Sequence, residues 1–304
     1  MGYSSIESRP PADPALSQAV EHKGQHFRGL ASLWDESLGA RRYRSAKGLM
    51  PDGADLFMPM LHGMGPITSH AGSMLATLNA LTASKKNKSR SQSLKALRRL
   101  PGYRVLGAEA IDLPATHGDP VLPRCADLAG ICDWLIDWLT PVKQAIDAPI
   151  VPIARSASAM LVLGVADRCP DLIDGIVFLS PMAPFDAEHS NADLLRRVAA
   201  EECVLNQTAF DYMNSLTTET DWDQQRDPFN GKPTLILTGE LDTQVSPRVR
   251  RRCAEWAGSL RHVDFEDVAD AGHDVFNLRN RPPALAAYGR LYSFLVNTFG
   301  RPPA

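Results

Sequence analysis

Between Pro149 and Pro181 the chain reads PIVPIARSASAMLVLGVADRCPDLIDGIVFLSP. An apolar run rich in β-branched residues ends at Ala154, small and aliphatic residues follow from Ala157, and a second β-branched run closes in Leu-Ser-Pro. Short apolar runs bounded by turn residues are buried strands, and the stretch between them has the composition and length of a helix. A strand, a helix and a strand in immediate succession are the unit from which parallel sheets are made.

The same alternation runs along most of the chain. LFMPMLHG is a strand candidate, SHAGSMLATLNALTA a helix with Ser69 as a cap, and YRVLGAEAIDLP a further strand. DLAGICDWLIDWLTPV is amphipathic, with Leu128, Ile131, Leu135 and Leu139 on one side. KPTLILTGELD, a helix near PRVRRRCAEWAGSL, the strand RHVDFEDV and the helix PALAAYGRLYSFLVNTF complete the series. The expected fold class is α/β, with a mostly parallel central β-sheet flanked by helices. The 44% of hydrophobic residues in 304 is ample to bury the core of such a sheet.

Four regions depart from the alternation. Residues 1–20, with Pro10, Pro11 and Pro14, read as a flexible arm. In HFRGLASLWDESL the spacing of Phe27, Leu30, Leu33 and Trp34 predicts a helix. The segment 183–231 is too long for a simple connection and reads as a small helical cap inserted into a core of 21–182 and 232–304. The basic, serine-rich Ala83–Leu100 reads as a solvated loop leading into a helix.

The chemistry concentrates at strand ends. Ser156 follows the strand ending at Ala154 and opens a turn whose neighbours, Ala157 and Ser158, are small. That is the pattern of a nucleophile elbow, which exposes the hydroxyl and turns the next backbone N–H, here that of Ala157, toward a reacting carbonyl. Helix capping is the competing role for Ser156. The stretch resembles the α/β-hydrolase family, whose elbow is usually G-x-S-x-G; here it is Ala154-Arg155-Ser156-Ala157-Ser158, with both glycines replaced.

The resemblance extends to other loops. LHGMGP (Leu61–Pro66) is similar to the family's H-G loop, which implies a second oxyanion donor at Met64, a substrate-facing Gly63 and a structural His62. AIDLPATHGDP resembles the loop after the following strand, with Asp112 structural. GELD places Asp242 just past a strand, as the family's acid, with Glu240 as competitor. DVADAGHDVFNL places His273 after Gly272 in the last loop, as the base. The order Ser156, Asp242, His273 is that of the family, and it implies an acyl-enzyme serine hydrolase acting on an ester or thioester. The altered elbow also fits a catalytically inactive relative used for binding or scaffolding. Arg155 beside the nucleophile would hold either an anionic substrate group or a local carboxylate.

A net charge of −3 gives no reason to expect nucleic acid or an anionic membrane as the main partner; a small neutral substrate fits better, and the expected partner is a small-molecule acyl substrate. Five scattered cysteines without C-x-x-C spacing read as reduced thiols, with no metal site and no cofactor required. With no basic and apolar leader at the N-terminus and no apolar run of membrane-spanning length, the expected location is the cytoplasm. Oligomeric state is not legible.

Overall fold

The computed structural model describes residues 19–22, 25–63, 71–83, 92–114, 123–181, 227–245 and 247–300. Most of the expected arm and of the cap region 183–231, and residues 84–91 of the basic segment, lie outside the described residues.

Among the described residues nine strands form one sheet in the order β1-β2-β3-β5-β4-β6-β7-β8-β9. Three of them, β1 (Ala19–His22), β2 (Gln25–Asp35) and β3 (Ala40–Ser45), pair antiparallel, and β3 pairs antiparallel with β5 (Gly107–Ile111). From β5 across β4 (Phe57–Leu61), β6 (Ile153–Arg155), β7 (Ile176–Leu179), β8 (Thr234–Gly239) and β9 (Val263–Val268) every pairing is parallel.

Helices cover both faces, as a parallel sheet requires. On one side α1 (Ala71–Leu81), α2 (Gln92–Leu97) and a last helix, Arg281–Phe299, pack in one apolar core. On the other, α3 (Leu128–Ala145), α4 (Ala159–Arg168) and α5 (Pro247–Ser259) pack in a second. The last helix is α6. The side expected of α3 is the buried one: Leu128, Ile131, Leu135 and Leu139 all face the sheet.

The stretch expected to be helical around Phe27–Trp34 is instead the long strand β2. Its spacing fits a helix, but its end is a hairpin turn. Asp35 Oδ1 accepts from the N–H groups of Ser37 and Leu38, and Gly39 takes φ 60, a left-handed conformation open to glycine. The turn registers β2 on β3, so pairing between strands decides the conformation over local spacing. Arg42 of β3 then bonds both Asp35 and the fully buried Glu109 of β5, whose carboxylate also accepts from Trp138 Nε1 at 3.0 Å. A buried carboxylate is tolerable only when paired in this way.

The order of the central strands decides where a site can form. The chain passes from β4 to β5 on one side, then crosses back to β6 on the other, so the connections diverge between β4 and β6. Open parallel sheets leave a crevice at the carboxyl ends of such a pair. The residues that leave those two ends are His62-Gly63 and Ser156-Ala157. Pro59, which has no N–H to give to the ladder, splits the β4–β6 pairing into a bridge at Phe57–Ile150 and a resumed pairing at Met60–Ile153.

Candidate active site

Ser156 is the first residue beyond β6 and holds φ 55. A non-glycine residue in the left-handed region is strained and persists only where its surroundings over-determine it. The 3₁₀ turn Ser156–Ser158 has Arg155, not Ser156, at its N-cap, so the helix-capping role for this serine falls away. Ala157 is fully buried, and α4 continues from Ala159.

What constrains the turn is Ser158. Its hydroxyl is fully buried, accepts the Arg155 N–H at 2.9 Å, and lies 2.8 Å from Arg155 O and 3.1 Å from Leu61 O. Its single proton reaches one of those two carbonyls. At 3.1 Å from Leu61 O the hydroxyl sets the elbow against the end of β4, the strand that leads into His62 and Gly63. Sequence reading takes Ser158 only as a small stand-in for glycine and misses this tether; its hydroxyl was the available signal.

Gly63 is where the two strand ends touch. A Cβ on it would stand 2.8 Å from Ser156 Cβ and 3.2 Å from Ser156 Oγ, so the position admits no side chain without displacing the serine. Met64 lies outside the described residues. His62 is fully buried and accepts the Leu113 N–H on Nε2 at 3.2 Å, which makes Nε2 the unprotonated nitrogen of a neutral ring. Asp112 accepts from Tyr43 Oη at 3.1 Å. Both residues therefore knit β3, β4 and β5 together.

Two further strand ends bring Asp242 and His273 together. Asp242 follows β8 in a turn, and its Oδ1 accepts the N–H groups of Gln244 at 2.7 Å and Val245 at 3.1 Å. Its Oδ2 lies 2.9 Å from His273 Nδ1, in the loop after β9. Burial raises the Asp242 pKa, but the bond and charge of His273, with the two turn N–H groups, outweigh it and hold the carboxyl below its ordinary range. An ionised carboxylate makes Nδ1 the donor and leaves Nε2 as the basic nitrogen. Glu240, the competing acid, is exposed and accepts instead from the Asp270 N–H.

The two loops are held in register by their backbones. Leu241 N–H donates to Ala271 O and Glu240 N–H to Val268 O. Gly239 packs so closely that a Cβ there would fall 2.2 Å from Gly272 O and 2.4 Å from Ala271 O. Arg155, the last residue of β6, is only 8% exposed. Among the described residues it forms no ion pair, and no three His, Cys, Asp or Glu side chains converge as a metal site.

A parallel sheet with helices on both faces, a strained serine after a central strand and a carboxylate–histidine pair from the last two strand ends define the α/β-hydrolase architecture, and the chain has that fold. No family model matches the sequence, and no curated protein matches it. Solved structures do. An esterase of Thermogutta terrifontis, solved with malate bound, matches with a TM-score of 0.54 at 14% identity, over 87% of this chain and 98% of its own. A predicted CIB-like hydrolase of Thermoplasma acidophilum matches with a TM-score of 0.52 at 16% identity, over 88% and 98%. The carboxylesterase CesB of Bacillus subtilis matches with a TM-score of 0.50 at 14% identity, over 85% and 88%. Among the described residues no helix is long and apolar enough to cross a membrane.

Proposed function

We propose that this chain is a serine hydrolase that cleaves a small or lipid-like acyl ester or thioester through an acyl-enzyme. The observation that carries the reading is the 2.9 Å contact of His273 Nδ1 with a buried, ionised Asp242, taken together with the strained elbow conformation of Ser156. In this mechanism His273 Nε2 takes the Ser156 proton as Oγ attacks the acyl carbonyl. The same proton then passes to the leaving alcohol or thiol, and water repeats the sequence to release the acid. Asp242 fixes the tautomer and stabilises the imidazolium. The N–H groups of Ala157 and Met64 receive the oxyanion, and Gly63 leaves room for the acyl group beside Ser156. The reaction needs no cofactor, and the reduced thiols expected from the sequence suit the cytoplasm.

A fluorophosphonate probe tests this directly. Covalent labelling of the native chain, lost in Ser156→Ala, is expected; equal labelling of both, or of neither, sinks the assignment and leaves the binding-protein alternative. A series of p-nitrophenyl esters of rising chain length, run beside acyl-thioesters, then separates lipid-like from small substrates.

A further inference from the structure

Arg155 is the residue that the reaction above leaves unexplained. It immediately precedes Ser156, and it is more than nine-tenths buried. A guanidinium at that depth is costly unless an anion accompanies it. Four of the carboxylates that the structure places at this end of the sheet are engaged elsewhere, and Asp274, beside His273, forms no ion pair with Arg155. Asp242 holds His273 and the Gln244 and Val245 amides, Asp112 holds Tyr43, Glu240 takes the Asp270 amide, and Asp267 takes the Thr238 hydroxyl. Among the described residues Arg155 has no carboxylate partner, whereas Arg42, a less deeply buried arginine of the sheet, has two.

The pleat shows on which side the charge sits. Ile153 packs in the core under α1, α2 and α6, and Ala154 in the opposite one. Alternation returns Arg155 to the first side, beside its ladder partner Leu179, which belongs to that core too. Ala271, Val275 and Phe276, which flank His273 in its loop, pack in the same core. The cation thus lies at the carboxyl end of the sheet, on the side of the catalytic loop and one residue from the nucleophile.

We infer that the substrate carries an anionic group close to its scissile acyl bond, and that Arg155 receives it as a specificity-determining residue. The inference rests on the serine hydrolase reading and narrows it to acyl esters or thioesters bearing a carboxylate or similar oxyanion. The planar fork of a guanidinium matches such a group with two parallel hydrogen bonds, which a lysine ammonium cannot reproduce.

The test compares two p-nitrophenyl esters of equal chain length, the neutral pentanoate and the mono-glutarate, whose far end is a carboxylate. The native chain is expected to favour the glutarate in kcat/KM by roughly tenfold or more, with free glutarate a competitive inhibitor of both. In Arg155→Gln that ratio is expected to fall at least tenfold, chiefly through the KM of the glutarate ester, and Arg155→Lys to recover only part of it. A native chain that prefers the neutral ester overturns the inference without any variant being needed. So does a folded Arg155→Gln that keeps the native ratio, which would make Arg155 a packing residue. Failure of fluorophosphonate labelling in the native chain would instead remove the hydrolase reading itself, and the two failures are therefore distinguishable.

Discussion

Ser158→Ala isolates the one feature by which this elbow differs most from a glycine-flanked one. The substitution removes a hydroxyl and leaves the backbone untouched, since Ser158 sits at φ −70, ψ −8, an ordinary right-handed conformation. It strands the Arg155 N–H, which donates to that hydroxyl at 2.9 Å in a fully buried position, and deprives Leu61 O or Arg155 O of a donor. A buried amide without an acceptor costs about 1–3 kcal/mol. At the middle of that range the midpoint of thermal unfolding falls by roughly 3–6 °C for a chain of this size. Because the lost bonds tie the elbow to the β4 end, the nucleophile loosens with them. A loss of alignment worth about 1.4 kcal/mol in the transition state lowers kcat about tenfold, with KM little changed. The assays are differential scanning calorimetry and the second-order rate of fluorophosphonate labelling. Ser158→Gly provides the control. It also lacks the hydroxyl and adds about 0.5–1 kcal/mol of backbone freedom, so it should be no better than alanine. An alanine variant that melts and labels like the native chain, or a glycine variant that exceeds it, refutes the tether.

Other substitutions probe the remaining strand ends. Asp242→Asn keeps the shape of the turn but removes the charge that sets the His273 tautomer, and should lower kcat about 10³–10⁴-fold in steady-state kinetics with modest change in KM. The same variant tests the depressed Asp242 pKa. A carboxyl whose folded value lies below its unfolded one stabilises the fold above about pH 3.9 and loses that contribution as pH falls toward the folded value. Urea titrations should therefore show the native chain losing more stability across that window than Asp242→Asn. Gly63→Ala and Gly239→Ala should both destabilise by about 1–3 kcal/mol or more through overpacking. The first drives a methyl into the Ser156 side chain, and the second drives one into the Ala271 and Gly272 carbonyls ahead of His273. Labelling should fail in the first even where circular dichroism reports a folded protein, and the larger fall in melting temperature should belong to the second, whose obstacle is backbone.

The central sheet was legible because a parallel strand buried on both faces leaves an uninterrupted apolar run, as in TLILTG and IVFL, and such runs mark strand ends to within a residue or two. The positions of Ser156, Asp242 and His273 follow from those ends. The N-terminal hairpin was not legible. Strand β2 alternates too weakly to declare a period of two, and its partner ARRYRS carries three arginines, of which Arg42 is held by Asp35 and Glu109, the latter brought near only by the fold. Position past the strand end favours Asp242 over Glu240 in the sequence, but the contact with His273 is not legible there. That contact depends on which carboxylate meets the histidine of the β9 loop, and the loop is held by backbone bonds from Glu240 and Leu241 to Val268 and Ala271.

The missing glycines of the elbow find their physical account in the neighbouring strand. An elbow needs room where the backbone of the turn meets the strand beside it, and it needs restraint to keep a non-glycine residue at positive φ. In this chain Gly63 supplies the room from the β4 side, its absent Cβ lying where the Ser156 side chain now sits. Ser158 supplies the restraint, with a hydroxyl that a glycine could not offer. Ala154, buried in the sheet under α3 and α4, needs only to be small. The two functions that glycines usually share are thus divided between residues on two strands. Reinstating glycine at position 158 should therefore weaken this particular elbow, although it restores the commoner sequence.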